Sequence, residues 1–117
     1  MSHSYENEYA KWQSHQYDNK TLISVTNNYL PKYQKLINES KALQPPKQYQ
    51  NATDLYTKRL ESELQGNNHF RNYLLTNSYT EVELSSKLLS DASKYEFEAF
   101  KKLKSCGLFT TVPIITK

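Results

Sequence analysis

Residues 36–49 read LINESKALQPPKQY, and the double proline in this stretch decides the fold. A proline pushes the residue before it out of the α region and itself sits best at the first position of a helix. Gln44–Pro45–Pro46 therefore closes one helix and opens another. Upstream, from Ser4 to Leu43, Tyr5, Tyr9, Trp12, Ile23, Leu30, Tyr33 and Ile37 recur near steps of three, four or seven, the spacing of one helical face. Polar Gln16 and Asn19–Lys20 thin that stripe, Asp18, Asn19 and Thr21 can cap a helix, and Pro31 removes an amide donor. One long first helix is the simplest expectation, and a break near residues 18–31 is the alternative that raises three helices to four.

Downstream of the prolines, Tyr49, Ala52, Tyr56, Leu60, Leu64, Phe70, Leu74 and Leu75 mark a second apolar face. Gly66–Asn67–Asn68 interrupts it with residues of low helix propensity, and the spacing on either side predicts that the helix continues through them. Thr76–Asn77–Ser78 ends it. Two capping-box frames follow, Ser78 with Glu81 and Thr80 with Glu83. A third stripe then runs through Val82, Leu88, Leu89, Ala92, Tyr95, Ala99 and Leu103 to Cys106–Gly107. The expected fold is all-α, an elongated antiparallel bundle of three long helices over residues 1–107. An apolar tail, residues 108–117, is expected to pack on the bundle or on a partner.

Composition agrees with this class. The chain has 117 residues, two Gly and four Pro, too few turn residues for a β-sandwich or barrel of many short strands. A formal net charge of +3 is mild compared with domains that bind mainly by neutralising phosphates. No apolar stretch approaches the roughly 20 residues that a membrane span needs. Glu6 and Glu8 stand where a signal peptide would be basic and then apolar. The chain is thus expected to be soluble, with a cytoplasmic setting slightly favoured over that of a mature exported domain. Sequons at Asn19, Asn38 and Asn51 are about as many as chance yields in so Asn- and Ser/Thr-rich a chain.

Ten tyrosines are the most unusual feature. A phenol has a large apolar body and a polar rim, which suits core edges, interfaces and ligand grooves. The ordinary reading places most of them at core edges. Trp12, with Tyr5 and Tyr9 at helical spacing, is the best candidate for an interface anchor, and Ile114 and Ile115 of the tail are the next. Lys94, Lys101, Lys102 and Lys104 interleave with Tyr95, Phe97 and Phe100, a pattern that suits nucleic acid or an anionic membrane. Glu81 and Glu83 near the start of the same helix, and lysines near its end, also match what the helix dipole favours on a solvated face.

Signs of chemistry are sparse. His3, His15 and His69 form no paired-ligand spacing on one helical face; His15 and Asp18 are three apart, a pairing common on solvated helices. No metal or cofactor is expected. Glu61 and Glu63, Glu81 and Glu83, and Glu96 and Glu98 are spaced by two, which sends the members of each pair to different faces. Cys106 is the lone cysteine, read as a small apolar residue at a helix end, and no nucleophile motif or Gly-rich phosphate cradle is present.

Leu36 to Tyr49, with Leu43, Pro45–Pro46 and Tyr49 joining two amphipathic helices, is similar to the helix–Pro-Pro–helix joint of small uncharacterised prokaryotic helical-bundle proteins, often exported. That resemblance implies a bundle and carries no activity and no functional residue. The resulting expectation is a non-enzymatic protein that binds a protein partner or itself through its Tyr- and Trp-rich faces. A nucleic-acid-associated protein using the C-terminal lysines is the alternative, and a sensor or carrier enclosing a small ligand between its helices is a further one.

Overall fold

A computed structural model describes residues 2–105. Four helices run in chain order: α1 (Ser2–Gln13), α2 (Asn19–Ala42), α3 (Gln50–Thr76) and α4 (Tyr79–Ser105), with a 3-10 turn at Lys47–Tyr49 after the two prolines. No strand occurs among the described residues. Cys106, Gly107 and the tail with Ile114 and Ile115 lie outside them, as does the side chain of His3.

The all-α class holds, and the first long helix is corrected to two. The break is a Schellman turn. His15 takes a left-handed φ of 68°, its N–H donates to the Trp12 carbonyl at 3.0 Å, and the Gln16 N–H reaches back to the Lys11 carbonyl at 2.8 Å. Asp18 then restarts the helix, its carboxylate accepting the Thr21 N–H at 2.8 Å. Trp12 Nε1 donates to Asn19 Oδ1 at 2.7 Å and bridges the elbow. Pro31 lies within α2 without ending it.

α3 is the central helix, with α2 on one flank and α4 on the other, while α1 leans on α2. Neighbours run antiparallel, as cross-helix pairs show: Arg71 Nη1 donates to Asn27 at 2.9 Å, whereas at the opposite end Lys41 meets Glu61 at 2.9 Å. At 1.5 Å per residue a 27-residue helix is about 40 Å long, in keeping with overall dimensions of 45 × 29 × 22 Å. Two apolar clusters fill the seams. Leu22, Phe70 and Leu74 gather Tyr9, Trp12, Ile23, Tyr73 and Val82 around them. Tyr33, Ile37 and Leu60 gather Tyr29, Leu36 and Leu64. Each such side chain withdrawn from water contributes about 1.5–3 kcal/mol before chain entropy is set against it. Two pairs of buried hydroxyls meet across the seams: Tyr5 with Thr26, and Ser40 with Thr57.

The low-propensity triplet stays helical, as its flanks predict. A β-carbon on Gly66 would lie 2.9 Å from Leu89 Cγ, so the missing side chain lets α3 and α4 approach closely. Asn68 accepts from Arg71 Nη2 at 2.6 Å. α3 ends where Asn77 turns left-handed at φ 59°, its N–H bonded to the Tyr73 carbonyl at 2.7 Å. Glu81, which the capping-box frame would turn back toward Ser78, instead accepts from His69 Nδ1 of α3 at 3.0 Å. The Ser78 N–H finds Thr76 Oγ1 at 3.2 Å.

Candidate functional site

α1 has 12 residues and α2 to α4 have 24 to 27, so the fourth rod of the bundle covers only part of the seam. Beneath it lies a partly open cavity of about 360 Å³ that all four helices line. α3 supplies Arg59, Glu63, Asn67 and Phe70, at helical steps of four, four and three. α4 answers with Val82, Ser85, Leu89, Ala92 and Glu96, with Ser86 and Ser93 beside them. α1 adds Tyr5, Glu6 and Tyr9, and α2 adds Tyr33.

The walls are aromatic and charged at once. Arg59 Nε stands 3.2 Å from Glu63 Oε1, both side chains largely withdrawn from solvent, and 4.0 Å from Glu96 Oε2, which is exposed. Asn67 of α3 and Ser85 of α4 line the cavity wall and are 5% and 2% exposed. They add an amide and a hydroxyl to the aromatic part of the wall. Burial pushes the Tyr5 phenol above its ordinary range, against the pull of the Thr26 hydrogen bond and with a small push from Tyr9. Burial alone raises Tyr9. Both phenols are therefore neutral donors at physiological pH.

The residues singled out from the sequence fall in three places. Tyr5 is buried, its hydroxyl 2.6 Å from Thr26 Oγ1 and its ring edge-on to Tyr29. Tyr9 and Trp12 are half-buried, each with its ring centroid 5.3 Å from that of Phe70 in a T-shaped arrangement, so the proposed anchor rings pack on the chain's own core. Lys94, Lys101, Lys102 and Lys104 are all exposed on α4. Acids interrupt them: Lys101 lies 3.9 Å from Glu98 and over the Phe97 ring at 5.5 Å. Phe97 and Phe100 stand 63% and 56% exposed beside them. Ile114 and Ile115 are outside the described residues.

Arg59, Glu63, Asn67, Ser85 and Glu96 were not singled out as site residues. Their signal was the four-residue step 59–63–67, beside the apolar stripe at 56–60–64, and the serines set into the face of α4. Among the described residues no group of three or more His, Cys, Asp or Glu is placed to hold a metal ion. No described helix is long and apolar enough to cross a membrane. No family model, curated protein or solved structure matches this chain.

Proposed function

We propose that the protein is a non-enzymatic binding bundle that takes a small molecule into the cavity between its four helices. One observation carries the reading: all four helices line one partly open cavity of about 360 Å³, whose wall sets the buried Asn67 and Ser85 beside Tyr9, Tyr33 and Phe70. The volume lies near the lower end of the roughly 300–1,000 Å³ usual for small-molecule sites, which suits a ligand of one ring or a short chain. Native mass spectrometry of freshly purified protein tests this. The wild type should retain a bound mass that a Ser85→Leu variant, folded by circular dichroism, has lost. An apo mass in both proteins, or equal retention by the variant, counts against the reading.

A second reading, association with a protein partner or a second copy, draws support from exposed Phe97 and Phe100, spaced by one helical turn beside Lys101. Sedimentation of wild type against Phe97→Ser/Phe100→Ser decides it. A smaller mass in the variant supports that surface, and a monomer in both, with the same proteins captured, removes it.

A further inference from the structure

We infer that the last turns of α4 dock on an anionic lipid surface, with Phe97 and Phe100 entering the headgroup layer and Lys94, Lys101 and Lys104 meeting the lipid charge. The inference is independent of the cavity. Positions 94, 97, 101 and 104 follow steps of three and four, and Phe100 stands one turn from both Phe97 and Lys104, so these five side chains share one helical face. All five are exposed, Phe97 and Phe100 by more than half. The acids of the same turns flank that face: Glu98 lies 3.9 Å from Lys101, and Glu96 lies 4.0 Å from Arg59 of α3. Lys101 also sits over the Phe97 ring at 5.5 Å, so charge and ring are presented together.

Charge complementarity gives the sign of the partner. Residues 1–98 hold eleven Lys or Arg and twelve Asp or Glu, whereas residues 99–117 hold four Lys and no acid, so the net positive charge of the chain gathers in and after the last turns of α4. The helix dipole accounts for lysines in a last turn and gives no reason for two phenyl rings exposed among them. A nucleic acid would meet the same lysines, and its bases stack on rings. The apolar groups favour lipid. In a chain with ten Tyr, the exposed pair on this face is Phe, with no hydroxyl to offer a base or phosphate. The sequence beyond it is aliphatic, with Leu108, Val112, Ile114 and Ile115, side chains that gain from an acyl boundary and have no π face to stack on a base. No described helix can cross a bilayer, so the contact lies on the membrane and not through it.

Flotation of the full chain with lipid vesicles at low salt tests this. The protein should partition onto vesicles of equal parts phosphatidylcholine and phosphatidylglycerol at least about tenfold more strongly than onto pure phosphatidylcholine, and added salt should weaken the binding. Phe97→Ser/Phe100→Ser and Lys101→Gln/Lys104→Gln, each folded by circular dichroism, should each lose about tenfold or more on the anionic vesicles. Binding to neither vesicle, equal binding to both, or either variant binding as wild type does overturns the assignment. A gel shift with single-stranded DNA in the absence of vesicle binding gives the face to nucleic acid, and a smaller mass for Phe97→Ser/Phe100→Ser in the absence of vesicle binding gives it to a second copy; each overturns the lipid surface.

Discussion

Gly66 of α3 faces Leu89 of α4 so closely that an added β-carbon would meet Leu89 Cγ and Cδ2 at 2.9 Å. Two effects oppose each other at this position. Alanine would gain about 1 kcal/mol of helix propensity over glycine, while the contact would force the Leu89 side chain aside. Gly66→Ala is expected to stay within about 1 kcal/mol of wild type. Gly66→Leu, which cannot be accommodated by a rotamer change, should lose about 2 kcal/mol or more in urea denaturation. A Gly66→Leu variant as stable as wild type would mean that α3 and α4 can separate without loss.

The Tyr5–Thr26 bond ties α1 to α2, with Thr26 also donating to the Leu22 carbonyl at 2.8 Å. Tyr5→Phe keeps the ring and removes the bond, and should cost about 0.5–1.5 kcal/mol at neutral pH. The phenol also sets an alkaline limit. Its folded pKa is raised above the ordinary value of 10.0, so its contribution is whole below that value and is lost as pH rises through the folded one. Denaturation measured from neutral to strongly alkaline pH should show a steeper decline for wild type than for Tyr5→Phe. Parallel curves would contradict this.

Glu81 carries the acid limb. The hydrogen bond from His69, joined by one from Asn72, holds its carboxyl below the usual range against a small opposing effect of burial. A depressed folded pKa contributes stability above the unfolded value that is lost as pH falls through the folded one. Glu81→Gln should be less stable than wild type at neutral pH, and the two curves should converge under acid. Curves that stay apart at low pH would place the stabilisation elsewhere.

His15 holds the left-handed position of the elbow with a β-carbon that disfavours it. His15→Gly should therefore stabilise the fold by about 0.5–1 kcal/mol, read as a higher Tm with unchanged helicity. A lower Tm would show that the imidazole does something at the turn beyond occupying it.

The same turn explains where sequence reasoning stopped. Asp18 was visible as a cap and polar Gln16 as a gap in the stripe, but a C-terminal cap is ordinarily announced by glycine, and His15 is not glycine. The Pro45–Pro46 boundary was legible because proline acts through its own ring, with no help from tertiary contacts. Glutamates spaced by two were legible as different faces: Glu61 goes to Lys41 at 2.9 Å, while Glu63 turns to Arg59 at 3.2 Å. The cavity was not legible. It depends on how far α1 reaches over Phe70 and on α3 and α4 bringing Asn67 and Ser85 to one cavity wall, neither of which periodicity encodes. Tyr9 and Trp12 were readable as amphipathic rings, but whether such rings turn outward or inward is settled only by Phe70 arriving opposite them.

The order in which helices lean on one another sets how the chain assembles. The main interfaces join helices that follow one another along the backbone, α1 to α2, α2 to α3 and α3 to α4. Such local closure lies at the fast, microsecond-to-millisecond end of domain folding. During synthesis from the N-terminus, α2 lacks its α3 partner until residue 50 onward emerges, and Tyr9 and Trp12 lack the Phe70 ring they dock on until it leaves the ribosome. The earliest of the four helices thus waits for the third before it finds its final seat.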